Sequence, residues 1–239
     1  MAQMTRGKIC VSLAGVDIAA LVAQACHVAE RADVIEVRLD SMQHPDVSAC
    51  CTALETPLLF TNRPSWEGGA FSGSEEQRIE FLLEAVQQQA AYIDCELRAK
   101  SFLRGQLLEA MSASPTRMIL SWHNFEKTPP QAELEEVLAQ MMESGDRADK
   151  TGKIIGKIVT TAHSPEDALR VLRLQEQAKA ANFPLSCFCM GEPGRITRLA
   201  TLYLGGYMTY ACLNDAQATA PGQLSLEQLQ KLTALLMAA

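Results

Sequence analysis

Short runs of apolar and β-branched residues recur along the chain. Between them, apolar positions repeat at helical spacing. The runs cover residues 8–14, 34–40, 57–63, 92–97, 117–123, 152–160, 185–190 and 207–212. Each reads as a strand. Helices are predicted over about 17–31, 101–111, 165–181 and 194–204. Another follows the Ser74–Gln77 capping box, with Ile79, Leu82, Leu83, Val86 and Ala90 as its stripe. A further one starts at Thr128-Pro129-Pro130-Gln131 and carries Leu134, Val137, Leu138, Met141 and Met142. The last is capped by Ser225 and Gln228 and carries Leu229, Leu232 and Leu236. Residues 1–7 read as a loose leader. Strands alternating with helices over short connections predict parallel βαβ units. Eight units within 239 residues fit a closed (β/α)8 TIM barrel of the α/β class, one domain over 1–239. An open doubly wound sheet is the alternative, but no G-x-G-x-x-G follows the first strand.

Alternate residues of a barrel strand point inward. In the second strand Glu36, Arg38 and Asp40 share one parity, and Ile35, Val37 and Leu39 the other. The apolar set packs under helices, so the charged set faces the lumen. By the same rule Thr61 pairs with Arg63, Asp94 with Glu96, and Ser121 with His123. Lys153, Ile155 and Lys157 share a parity in the sixth strand. Isolated buried charges are costly, so these residues must form one connected network. They stand near the C-terminal strand ends, where barrels of this kind place their active sites. A structural ion cluster is the competing reading.

Lys157 draws most attention. It is flanked by Ile155, Ile158 and Val159. Apolar surroundings disfavour an ammonium, and the free amine is the species that attacks a carbonyl. The alternative is a lysine reaching from a strand end to water. His123 offers a proton carrier opposite it. Glu67, four residues beyond Arg63, is a candidate to orient that imidazole. Glu36, Asp40, Asp94, Glu96 and His123 contain metal-ligand chemistry, but three cations crowd the same mouth, so no metal is expected.

The net charge of −7 and pI near 5.2 argue against nucleic acid as a partner. No run is long and apolar enough for a membrane span. The eight cysteines contain no C-x-x-C pair and no secretory signal precedes them, which predicts a reducing, cytoplasmic setting.

The motifs together resemble the type I 3-dehydroquinate dehydratases, Schiff-base enzymes of the shikimate pathway. The resemblance rests on Glu36-Val37-Arg38-Leu39-Asp40, Phe60-Thr61-Asn62-Arg63 with Glu67-Gly68-Gly69, and Ile93-Asp94-Cys95-Glu96. It extends through Ser121-Trp122-His123-Asn124-Phe125 and Lys157-Ile158-Val159. Gly194-Arg195-Ile196-Thr197-Arg198 and Ala220-Pro221-Gly222-Gln223 complete it. The resemblance implies a lyase needing no cofactor, with a small-molecule substrate and a homodimeric assembly. Lys157 would form the imine with the C3 ketone. His123 would move protons between C2 and the C1 hydroxyl, held by Glu67. Arg198 and Gln223 would grip the substrate carboxylate. Glu36, Arg38 and Arg63 would place the ring hydroxyls, with Ser12 and Thr219 as further contacts. The chain departs from the family pattern in three places. It has no aspartate shortly before the lysine, a threonine at 219 where serine is usual, and a slightly longer stretch over 214–218. Two rivals stay open: a Schiff-base aldolase and a non-catalytic barrel that senses quinate-like ligands.

Overall fold

The computed structural model describes residues 6–148 and 152–237. Most of the predicted leader lies outside them. Among the described residues, eight parallel strands alternate with eight helices. The first half runs β1 (Lys8–Leu13), α1 (Ile18–Cys26), β2 (Val34–Arg38), α2 (Val47–Ala53), β3 (Leu58–Thr61), α3 (Glu75–Gln87), β4 (Tyr92–Glu96) and α4 (Ser101–Met111). The second runs β5 (Arg117–His123), α5 (Gln131–Ala148), β6 (Ile154–Thr161), α6 (Pro165–Ala180), β7 (Leu185–Met190), α7 (Arg195–Tyr203), β8 (Met208–Cys212) and α8 (Leu226–Met237). Among the described residues, no helix is long and apolar enough to cross a membrane.

The strands pair in the order β7-β6-β5-β4-β3-β2-β1-β8, a nearly closed barrel with one seam between β7 and β8. Two bonds join the seam at its N-terminal end. Tyr207 N donates to Leu185 O at 2.8 Å, and Met208 N donates to Ser186 Oγ at 3.1 Å. A serine side chain thus takes the place of a ladder carbonyl.

Two cores follow from the alternation. Val11, Ile35, Val37, Phe60, Ile93, Leu120 and Ile158 point outward and pack under the helices. Cys10, Val34, Leu59, Ile119, Ile155 and Met208 fill the lumen. On each of these strands the next inward residue is polar or aromatic: Ser12, Glu36, Thr61, Ser121, Lys157 and Tyr210. The lumen is therefore apolar at its N-terminal end and charged at its C-terminal end, the end at which the site is built.

The structure corrects several sequence expectations. Helix α2 has no counterpart in the periodicity, because seven residues with only Val47 and Cys50 buried show no repeat; its Asp46 cap is the local signal. The first helix stops at Cys26 and gives way to turns. The second strand ends at Arg38, and Leu39–Ser41 form a 3-10 turn. Lys153 precedes β6, where its Nζ donates to Met111 O and Ser114 O. The predicted capping box Ser74–Gln77 is formed reciprocally. None of the eight cysteines forms a disulfide.

Candidate active site

A cleft of about 560 Å³, counting its open mouth, sits at the C-terminal ends of the strands. Lys157 enters it from β6 and is almost wholly buried. Its Nζ lies 3.1 Å from Asp94 Oδ2 on β4 and 4.0 Å from the Tyr210 ring centroid on β8. The apolar surroundings read from the flanking residues need one qualification. Ile158 points to the outer core and Ile155 lies a layer below, while Val159 borders the same cleft as Lys157. An anion and a ring face stand against the amine itself.

Asp94 is shared. Arg63 Nη2 lies 2.8 Å from the same Oδ2, and Ser121 Oγ donates to Oδ1 at 2.6 Å. Burial opposes the Asp94 carboxylate, but Arg63 and Lys157 outweigh it and hold it well below the usual carboxylate range. Arg63 also reaches Glu96 and Ser121 Oγ. Glu96 is held from its other side by Arg78 Nη1 at 2.6 Å. Arg78 comes from α3 and is fully buried. Charges alternate along the whole row Arg78, Glu96, Arg63, Asp94, Lys157, which is how a buried cluster of ions becomes tolerable.

His123 ends β5 and faces the same cleft. Its Nδ1 lies 2.9 Å from Glu67 Oε1, and its backbone N–H donates to that oxygen at 3.0 Å. With Nδ1–H donating as well, Nε2 keeps its lone pair. Burial, then the positive charges of Arg63 and Lys157, push the imidazole well below its usual range. Burial also raises Glu67, to about 7. Both partners thus resist charge, and below about pH 7 the contact is a hydrogen bond between neutral groups.

The loop carrying Glu67 is tightly specified. Gly68 caps the Ser65–Glu67 turn at φ 78°, and a Cβ there would meet the Phe125 ring at 2.4 Å. A Cβ on Gly69 would lie 2.0 Å from Arg63 O. Phe125 in turn stacks on His123, with centroids 5.7 Å apart and planes 10° from parallel.

Arg198 reaches the far side of the cleft from α7, only 2% exposed. It stacks 4.7 Å from the Phe188 ring and donates from Nη2 to Pro221 O at 3.4 Å. Among the described residues no carboxylate pairs with it, and Nε has no partner. Burial lowers this guanidinium to about 10. Gln223 Oε1 accepts from Thr219 N (2.8 Å) and Thr219 Oγ1 (3.1 Å), so its amide protons are left for a ligand. Glu36 accepts from Ser12 Oγ and from Thr61 Oγ1. Arg38 is held by Asp40 through Nε and Nη2, leaving Nη1.

Nine of the ten sequence candidates therefore border one cleft. Ser12 does not line it and touches it only through Glu36. Among the described residues, no cluster of three or more acidic, histidine or cysteine side chains is arranged to hold a metal. Sequence reasoning missed Arg78, Phe188, Met190 and Tyr210. Arg78 was findable, since it shares the α3 stripe with Leu82 and Ala85.

Residues 9–238 match the model of the Type I 3-dehydroquinase family. The chain belongs to that family. It is 45% identical over 199 residues to the 3-dehydroquinate dehydratase of Desulfotalea psychrophila, covering 83% of this chain and 85% of the relative. It is 37% identical over 236 residues to that of Methanopyrus kandleri, covering 95% and 99%. A solved Type I 3-dehydroquinate dehydratase from Clostridium difficile, carrying covalently modified comenic acid, superposes with a TM-score of 0.85 at 25% identity, over 98% of this chain and 93% of that one. The enzyme from Geobacillus kaustophilus also superposes at 0.85, with 26% identity over 98% and 92%.

Proposed function

We propose that this type I 3-dehydroquinase removes water from 3-dehydroquinate to give 3-dehydroshikimate, through an imine on Lys157. The dehydratase activity follows from family membership. The covalent route rests on one observation above all: the buried Lys157 side chain and the imidazole held by Glu67 open onto the same cleft.

The Lys157 ammonium first loses a proton, and Nζ adds to the C3 carbonyl to give a carbinolamine. Loss of water, taking that oxygen and one added proton, leaves the iminium. The iminium draws electrons and acidifies the neighbouring C2–H. His123 Nε2 takes that proton, and the electron pair forms an enamine. The enamine pushes out the C1 hydroxyl, which leaves as water with the proton His123 returns. Water then adds to the conjugated iminium and releases the enone and the amine. Net, one water is lost.

The surrounding groups fit the rest of the substrate. Arg198 is a desolvated cation with no carboxylate beside it among the described residues, and a substrate carboxylate satisfies it through the guanidinium fork. Gln223 adds amide donors, and Thr219 fixes its orientation. Glu36 and Arg38 offer an acceptor and a donor to ring hydroxyls. Arg63 supports Asp94 and lines the floor. Ser12 orients Glu36. A single catalytic domain over 1–239, cytoplasmic, cofactor-free and paired as a homodimer, completes the proposal.

The test is reduction with sodium borohydride during turnover of 3-dehydroquinate, followed by peptide mass spectrometry. The expected result is a stable adduct on Lys157, absent from Lys157→Met. Enone formation with no adduct on any lysine would overturn the covalent route.

A further inference from the structure

One aromatic side chain of the cleft has no part in the roles above. Tyr210 faces the lumen from β8, 5% exposed. Its ring centroid lies 4.0 Å from Lys157 Nζ, nearer than any other cation stands to an aromatic ring among the described residues. Phe188 leans on it at 5.9 Å and itself carries Arg198, so two neighbouring rings each face one cation of the site. The Tyr210 hydroxyl is buried and has no hydrogen-bond partner among the described residues. Burial, then the nearby Cys10, Glu36 and Asp94, keep it a neutral phenol. The ring face is thus placed against the reacting nitrogen.

The surroundings of that nitrogen show why a ring is needed. Among the described residues Asp94 from β4 is its one anion within contact, and Arg63 takes the same Oδ2 at 2.8 Å. Arg63 and a protonated His123 on β5 both repel a positive Nζ. Glu36 on β2 is held by Ser12 and Thr61, and Cys10 on β1 stays a thiol because burial raises it. A carboxylate shared with Arg63 leaves a buried cation at Nζ only partly compensated. A second carboxylate would repel the substrate's own. The face of an aromatic ring attracts a cation through its quadrupole and carries no net charge.

We infer that Tyr210 is a further catalytic residue, whose ring face keeps the substrate imine on Lys157 protonated. The step it governs is a proton equilibrium: the neutral imine takes one proton at Nζ to become the iminium. Only the iminium withdraws enough electron density to release the C2 proton. The inference rests on the covalent reading above.

The test varies the ring's electrostatics at constant shape. Position 210 is filled with phenylalanine and then with its mono-, di- and trifluorinated forms, each fluorine weakening the quadrupole. The pH dependence of kcat is measured for every variant, with borohydride trapping in parallel. Tyr210→Phe is expected to leave the alkaline limb in place. Fluorination is expected to move that limb stepwise to lower pH, by about one unit over the series, with about tenfold less kcat above it. An unmoved limb across the fluorinated series would overturn the role. So would a shift at Tyr210→Phe as large as at the trifluoro form, since the hydroxyl would then carry the effect. No wild-type adduct on Lys157 would sink the covalent reading and this inference together. An adduct with an unmoved limb would sink this inference alone.

Discussion

Glu67 shows how a single buried carboxyl couples catalysis to stability. Burial raises it to about 7, so it is protonated below neutrality and ionised above. Ionised, it stabilises the imidazolium that forms when His123 accepts a proton. The wild-type kcat should therefore rise through about pH 7 in a one-proton step. Glu67→Gln should abolish that step and lower kcat by about 10²-fold, as measured by steady-state kinetics over pH 5.5–8.5. The stability effect has the opposite sign. A carboxyl raised from 4.5 favours the folded state below 4.5, and that contribution is lost as pH rises through about 7. Glu67→Gln should match the wild type at pH 4 and exceed it at pH 8 by on the order of 3 kcal/mol, read from chemical unfolding. At this scale the sequence was informative for residues whose parity and strand-end position coincide, such as Lys157, His123 and Arg63. It was silent on contacts made across the lumen. The Asp94–Lys157 pair spans 63 positions along the chain, and no spacing rule connects them.

At the scale of elements, α3 is tied to the chemistry by one side chain. Arg78 is anchored to Glu75 in the helix's first turn and reaches under β4 to Glu96. Its removal leaves Glu96 with Arg63 alone and a buried negative charge undercompensated. Arg78→Met should cost about 3–5 kcal/mol of stability, seen in urea unfolding. It should also lower kcat more than it raises KM, because Arg63 and Asp94 shift under Lys157 while the Arg198 side of the cleft stays intact. Equal effects on both constants would mean that α3 only braces the fold. Element boundaries were legible where caps or periodicity are strong, as at Ser74 and Gln228. They were illegible at α2, whose seven residues bury two side chains and leave no period to read. The second strand's tail failed for another reason: Asp40 turns out of the strand to hold Arg38 and the backbone N–H groups of Arg63 and Ala70, a tertiary demand that local pattern does not express.

At the scale of the whole molecule, the seam between β7 and β8 is where the barrel is least secured and also where the site is most apolar. Phe188, Met190 and Tyr210 border the cleft from these two strands, and Arg198 stands behind them. The eightfold alternation made a barrel legible, but not which strand pair would lack its ladder. That depends on how far the last strand slides against the seventh. Ser186 supplies one of the two bonds across the seam. It is fully buried, pairs in register with Lys157 on β6, and accepts Met208 N–H at 3.1 Å. Ser186→Ala leaves that buried N–H without an acceptor, which costs about 1–3 kcal/mol. For a chain of 239 residues, a loss of that size lowers Tm by about 2–12 °C. Because Ser186 neighbours Lys157 in the ladder without touching its amine, borohydride trapping should survive in the variant at temperatures below its melt. A lowered Tm with intact trapping places the weakness in the seam. An unchanged Tm would mean that another group or water takes over the Met208 N–H, and that the barrel does not depend on this serine for its closure.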